Sequence, residues 1–205
     1  MNLHTRKNVT KVLASVVLVG GAASVAGLGT FGSFTDTTTA SQAVSTGIVD
    51  IDLTQHATRG LDVAAANLVP GDTIQRAVRL TRSSTTEKFG TVALSTSGAT
   101  ANLLTTDTAN GLKVKVDQCS VPWSPLGATS ELTCTGDTET VVAQRPALGT
   151  NLDLAAATSA LNSTGAASNL RVELVLPSAA GNLFQGLSNT VTFTFDATQR
   201  TATFK

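Results

Sequence analysis

Apolar and polar residues alternate with a period of two in segment after segment, and that pattern constrains the fold more than any other feature. In Leu112–Cys119 (LKVKVDQC), Leu112, Val114 and Val116 face one way while Lys113, Lys115 and Asp117 face the other. Leu170–Leu176 places apolar residues at 170, 172, 174 and 176, and Thr190–Ala197 aligns Val191, Phe193 and Phe195. Ile48–Leu53 alternates Val49, Ile51 and Leu53 against Asp50 and Asp52, while Ile74–Leu80 and Phe89–Ser95 are less regular but strand-like. Successive side chains of a strand point to opposite faces, so each segment reads as a half-buried antiparallel strand. Turn residues lie between them: Pro70-Gly71-Asp72, Asn110-Gly111 and the glycine-containing stretch from Pro177 to Asn189. Leu152–Leu161 is the best helical candidate. Many short strands predict an all-β, jelly-roll-like antiparallel β-sandwich. No tandem repeat or Pro-rich linker divides the chain.

The first 32 residues break the pattern. His4, Arg6, Lys7 and Lys11 form a basic flank, followed by an apolar and small-residue run from Val12 to Phe31, and no acidic residue precedes Asp36. That layout is a secretory signal, with cleavage expected between Gly32 and Ser33. A retained transmembrane anchor is the alternative, since the run is long enough to span a bilayer. Against it stand Gly20, Gly21, Gly27 and Gly29 within the run and the lack of a basic flank after it. The expected organisation is therefore a signal peptide and signal helix at 1–32, membrane-associated only until cleavage. A single domain follows at 33–205, with 33–44 an exchangeable N-terminal strand. The chain ends on Thr201–Lys205 without a second apolar run, so covalent wall anchoring is not expected.

Cleavage changes the charge balance. The whole chain has 14 basic and 14 acidic residues; losing Arg6, Lys7 and Lys11 leaves a net charge of −3. With no basic stripe and few aromatic residues, nucleic acid is not an expected partner. Cys119 and Cys134 are the two cysteines. An even pair in an exported chain reads as a disulfide, with two buried free thiols the alternative. Trp123, the single tryptophan, falls between them. It reads either as a binding tip or as a cap over the core beside the disulfide.

Catalytic patterns are missing. The HExxH zinc motif, GxSxG and a glycine-rich phosphate loop do not occur, and His56 is the one histidine after position 32. Asp50, Asp52 and His56 are close enough in sequence to be weighed as a cation site, but a solvated strand face accounts for them equally. Glu87, Glu131, Glu139 and Glu173 show no spacing that marks a glycosidase pair. No catalytic residue, metal ligand or cofactor is assigned, and the chain reads as one that binds or builds.

Several blocks, in order, resemble the TasA/camelysin family of exported proteins, in particular its actinobacterial branch. They are Leu28–Asp36 (LGTFGSFTD), Ser45–Leu53 (STGIVDIDL), Leu68–Leu80 (LVPGDTIQRAVRL), Gly111–Cys119 (GLKVKVDQC) and Leu174–Arg200, with its FQG loop and ATQ ending. The resemblance implies a jelly-roll domain, processing by a signal peptidase of the SipW type, and a secreted, cell-surface or biofilm-matrix fibre subunit. Its partners would be further copies of itself and an accessory anchoring protein. Some members carry a metallopeptidase label, for which no ligand set is visible in this sequence. A monomeric adhesin and a secreted metallopeptidase are the competing readings.

Fibre growth has a physical route. Cleavage after Gly32 frees an arm of Ser33, Phe34, Thr35, Asp36, Thr37, Thr38, Thr39 and Ala40, rich in β-formers and bearing one charge. Such an arm adds to a neighbour's sheet edge, with Phe34 as its anchor, or else pairs within its own domain.

Overall fold

The computed structural model describes residues 35–39, 42–44, 51–61 and 68–201. The expected signal segment, the cleavage site at Gly32 and Ser33, and Phe34, Ala40 and Asp50 lie outside the described residues. The chain divides into two units, 1–33 and 34–205.

The second unit is an antiparallel β-sandwich, as the alternation predicts. Its strands are β1 (Thr35–Thr39), β2 (Gln42–Val44), β3 (Ile51–Gln55), β4 (Thr73–Arg82), β5 (Phe89–Gly98), β6 (Lys113–Cys119), β7 (Ser124–Pro125), β8 (Leu132–Thr133), β9 (Thr138–Pro146), β10 (Gly149–Asp153), β11 (Ala167–Val175) and β12 (Val191–Gln199). Among the described residues it also has two short helices, α1 (Leu103–Thr106) and α2 (Ala155–Asn162), and a 3-10 turn at Asn182–Phe184. One sheet has the order β10-β5-β12-β1-β2 and the other β3-β4-β11-β6-β9, while β7 and β8 form a separate hairpin. From β4 to β5, β5 to β6, β9 to β10, β10 to β11 and β11 to β12 the chain crosses between sheets. That habit of crossing, rather than returning beside the previous strand, is the jelly-roll character.

The inward rows form one core. Val78, Leu80, Val92, Leu94, Val114, Val116, Leu170, Val172, Phe193 and Phe195 interlock between the sheets, and Leu154, Ala157 and Leu161 of α2 close it. At about 25 cal/mol per Å² of apolar surface removed from water, each large side chain contributes roughly 1.5–3 kcal/mol. The helix expected from Leu152 begins later, because Leu152 pairs with Leu94 as part of β10. Asn162 at the helix end locks it to β5, accepting from the Phe89 N–H (2.8 Å) and donating to the Phe89 carbonyl (2.9 Å).

The Pro70-Gly71 turn is built as its residues require. The Asp72 N–H donates to the Val69 carbonyl, and Gly71 adopts φ 98°. Proline at the second turn position and a left-handed residue at the third define a type II turn, which favours glycine there. Asp72 Oδ2 accepts from the Val69 N–H at 2.9 Å and closes the turn from the other side.

Candidate functional site

The expected assembly strand occupies a specific place. β1 lies antiparallel to β12, with Thr35 opposite Thr198, Thr37 opposite Asp196 and Thr39 opposite Thr194. It returns as β2, with Thr37 opposite Val44 and Thr39 opposite Gln42. The arm is therefore paired within its own domain in this structure. The β1–β2 hairpin is the outer end of its sheet, and the ladders β10-β5-β12 do not depend on it. Its removal would leave β12 as an edge with unpaired N–H and C=O groups facing the vacated lane.

A second feature lies on the outer face of the other sheet. The chain between β6 and β9 folds back over β4 and β11, and a disulfide joins Cys119 to Cys134 across 15 residues. Trp123 is buried with Ala77, Cys119 and Leu132 in a small cluster separate from the sandwich core. Trp123 is a buried cap beside the disulfide, but it covers the outer face of a sheet and not the sandwich core expected from the sequence. Its Nε1–H donates to the Asn169 carbonyl at 3.1 Å. Leu132 is held by both backbone groups: its N–H donates to Gln75 Oε1 (2.7 Å) and its carbonyl accepts from Arg171 Nη1 (3.1 Å). Arg59 Nη2 donates to the Thr129 carbonyl at 3.3 Å near the tip.

Asp117 is the electrostatic centre beneath this flap. Its side chain is 1 % exposed, and its oxygens accept from Arg171 Nη2 (2.8 Å), Lys115 Nζ (2.9 Å) and Thr140 Oγ1 (2.8 Å). Burial works to raise its pKa, but hydrogen bonds from Arg171, Lys115 and Thr140, with the Lys115 charge, outweigh it and hold the carboxyl below its ordinary value. The alternation put Asp117 on the polar face; it did not indicate that this stretch of the face is covered. Asn169 Oδ1 and Arg171 Nε are buried without a hydrogen-bond partner among the described residues. Every polar group of Asp117 is engaged by the protein itself, so the arrangement is a clamp rather than an open binding pocket.

Of the sequence candidates for a cation, Asp50 lies outside the described residues, and Asp52 and His56 are at opposite ends of β3. His56 is half-buried and its Nδ1 accepts from the Thr58 N–H at 3.3 Å, while Asp52 is exposed on β3. Among the described residues no group of three or more His, Cys, Asp or Glu side chains is placed to hold a metal ion. Glu87 instead pairs with Arg200 at 3.1 Å, and Glu173 accepts from Gln75 Nε2 at 2.7 Å. Also among the described residues, no helix is long and apolar enough to cross a membrane.

A search of curated proteins gives no match. A scan of protein families gives one whose description is camelysin metallo-endopeptidase, matching residues 5–203. Among the described residues no donor set fits the metal centre which that description implies, so no metal-dependent step is assigned to them. The match extends over nearly all of the chain and includes each of the sequence blocks quoted for the TasA-like resemblance, and the chain belongs to the camelysin family.

Proposed function

We propose that this protein is an exported structural subunit that assembles head to tail, with β1 of one copy replacing β1 of the next beside β12. The observation that carries the reading is the position of β1. It is the first strand of the sandwich, it ends a sheet together with β2, and its partner is the last strand, β12. Such a hairpin can leave without unthreading any other element, and the lane it vacates accepts an identical strand with the same hydrogen bonds. Exchange between unlike surfaces need not close on itself, and where it does not it propagates as a filament.

Family membership supports a TasA-like protein, and the basic-then-apolar leader supports export through a signal peptidase of the SipW type. The extracellular or biofilm matrix is then the place of assembly, with an accessory anchoring protein as the attachment point. A monodisperse adhesin is the competing outcome. Protein beginning at Ser33 and protein beginning at Ser41 should be compared by negative-stain microscopy and light scattering. Filaments from the first and monomers from the second are expected. Filaments of equal length from both would show that the arm does not join the subunits.

A further inference from the structure

β1 is held by two neighbours to different extents. Its ladder with β12 runs over all five residues, from Thr35 opposite Thr198 to Thr39 opposite Thr194. Its ladder with β2 covers three: Thr37 opposite Val44, Thr38 opposite Ala43 and Thr39 opposite Gln42. Among the described residues β2 pairs with β1 alone. A β1 laid in the next subunit's lane remakes the β12 ladder there. Whether β2 travels with it decides where the two copies stand.

β12 runs from Val191 to Gln199, beside Phe89, so antiparallel β1 enters at the Gln199 end and leaves at the Val191 end. β3 begins at the Gln199 end: Ile51 is opposite Arg82, whose Nε donates to the Leu161 carbonyl, and the adjoining Asn162 holds Phe89. A hairpin that moves intact brings its chain back to the Gln199 end at Val44. Seven residue steps then lead to Ile51, a reach of at most about 25 Å. The donor's Gln199 end therefore lies against the acceptor's Gln199 end. The donor's own lane takes in a hairpin from that same end, so one partner fills both lanes and the exchange closes as a two-fold dimer. A β1 that has parted from β2 leaves the lane at the Val191 end instead. Twelve steps from Thr39 to Ile51 reach at most about 43 Å. The donor's Gln199 end then faces the acceptor's Val191 end, and this contact between unlike ends repeats along a filament.

We propose that the β1–β2 ladder gates assembly: filament growth requires β1 to part from β2, and copies whose hairpins stay paired stop at a dimer. The proposal rests on the strand-exchange reading and adds its controlling step. The β12 ladder is remade in the neighbour, whereas the three cross-strand pairs with β2 are given up, and that difference makes β2 a brake.

Thr37→Cys combined with Val44→Cys tests it by stapling β1 to β2. Antiparallel partners stand about 4.5–5.5 Å apart at Cα, within the range that a disulfide spans. Oxidised protein beginning at Ser33 should give no filaments by negative-stain microscopy and nothing larger than a dimer by light scattering. Reductant should restore filaments, with wild type in the same reductant as the control for the Cys119–Cys134 bond. Gln42→Pro combined with Val44→Pro acts in the opposite direction, because proline cannot donate to a ladder. That variant should shorten the lag before filaments appear. If the oxidised cysteine pair grows filaments at the wild-type rate while deletion of Ser33–Ala40 abolishes them, the gate is wrong and strand exchange stands. A lag unchanged or lengthened by the proline pair would also overturn the gate. If arm deletion has no effect, strand exchange and this proposal fail together.

Discussion

The Arg171 guanidinium lies over the Trp123 ring, 4.3 Å from its centroid, while its Nη2 donates to Asp117 Oδ2 at 2.8 Å. One cation thus joins three parts of the chain: β11, β6 and the flap between β6 and β9. The face of an aromatic ring carries negative potential, and its attraction for a desolvated guanidinium amounts to about 2 kcal/mol. Trp123 also supplies apolar cover for Ala77 and Cys119.

Substitution at Trp123 should separate these contributions. Trp123→Phe keeps a ring but removes the N–H that reaches the Asn169 carbonyl. The expected loss of unfolding free energy is about 1–2 kcal/mol. Trp123→Ala removes ring, cover and hydrogen bond together, and should cost about 3–5 kcal/mol. Urea unfolding of both variants checks the ordering, and equal losses would mean that the ring contributes nothing beyond its N–H.

The Cys119–Cys134 bond closes a 15-residue separation, and loss of such a cross-link is expected to cost about 3 kcal/mol. The flap has independent anchors at Leu132, Trp123 and Arg59, so the sandwich should remain folded in the Cys119→Ser/Cys134→Ser double variant. The single tryptophan is a built-in reporter. Reducing the wild type should lower the melting temperature to that of the double variant, with Trp123 emission staying blue until the main transition. A red shift on reduction at 25 °C would mean that the disulfide alone holds the flap.

Asp117 makes stability depend on pH in a defined direction. Its folded pKa is lowered, mainly by Arg171, Lys115 and Thr140 acting against burial, so the folded state binds its proton less readily than the unfolded chain. Its contribution is complete above the ordinary carboxylate pKa of about 4 and is lost as pH falls through the lower folded value. Asp117→Asn should flatten that acid limb. Near pH 7 it should cost about 3–5 kcal/mol, because Arg171, with a side chain 15 % exposed, is left beside a neutral partner. Urea titrations from pH 2 to 7 test both effects, and an unchanged acid limb would assign the acid sensitivity to other carboxylates.

The sequence was most readable where one strand face met the core. Val114, Val116, Leu170, Val172, Phe193 and Phe195 are buried in the rows their alternation defines. β9 gave no comparable pattern: Val141 and Val142 are adjacent, and its pairing with β6 shifts register around Val116, so period two is broken there. The charge clamp was hidden for a different reason. Lys115 and Asp117 alternate as a solvated face should, yet Asp117 is buried against Arg171 and Thr140 while Lys115 stays a third exposed. The cross-strand pairing of Asp117 with Arg171, about fifty residues away, leaves no local trace. The arm was legible as a strand from its threonines, whereas its pairing to β12 belongs to topology.

Thr96 is a polar residue on an inward row, and it defines the last prediction. It continues the row of Val92 and Leu94 and is 5 % exposed. Its Oγ1 donates to the Ala147 carbonyl at 2.7 Å and accepts from the Gly149 N–H at 2.8 Å, holding the corner where β9 leads into β10. Thr96→Val keeps the shape and strands both backbone groups, at about 1–3 kcal/mol for each group left buried without a partner. Thr96→Ser keeps the hydroxyl and loses one methyl, at about 1 kcal/mol. The valine variant should therefore be the less stable of the two, although it is the more apolar. Hydrogen exchange at Gly149 provides the local readout: its amide should lose protection in Thr96→Val and keep it in Thr96→Ser. If valine proves equal to or better than serine in both measurements, the corner is held by core packing and not by this hydroxyl.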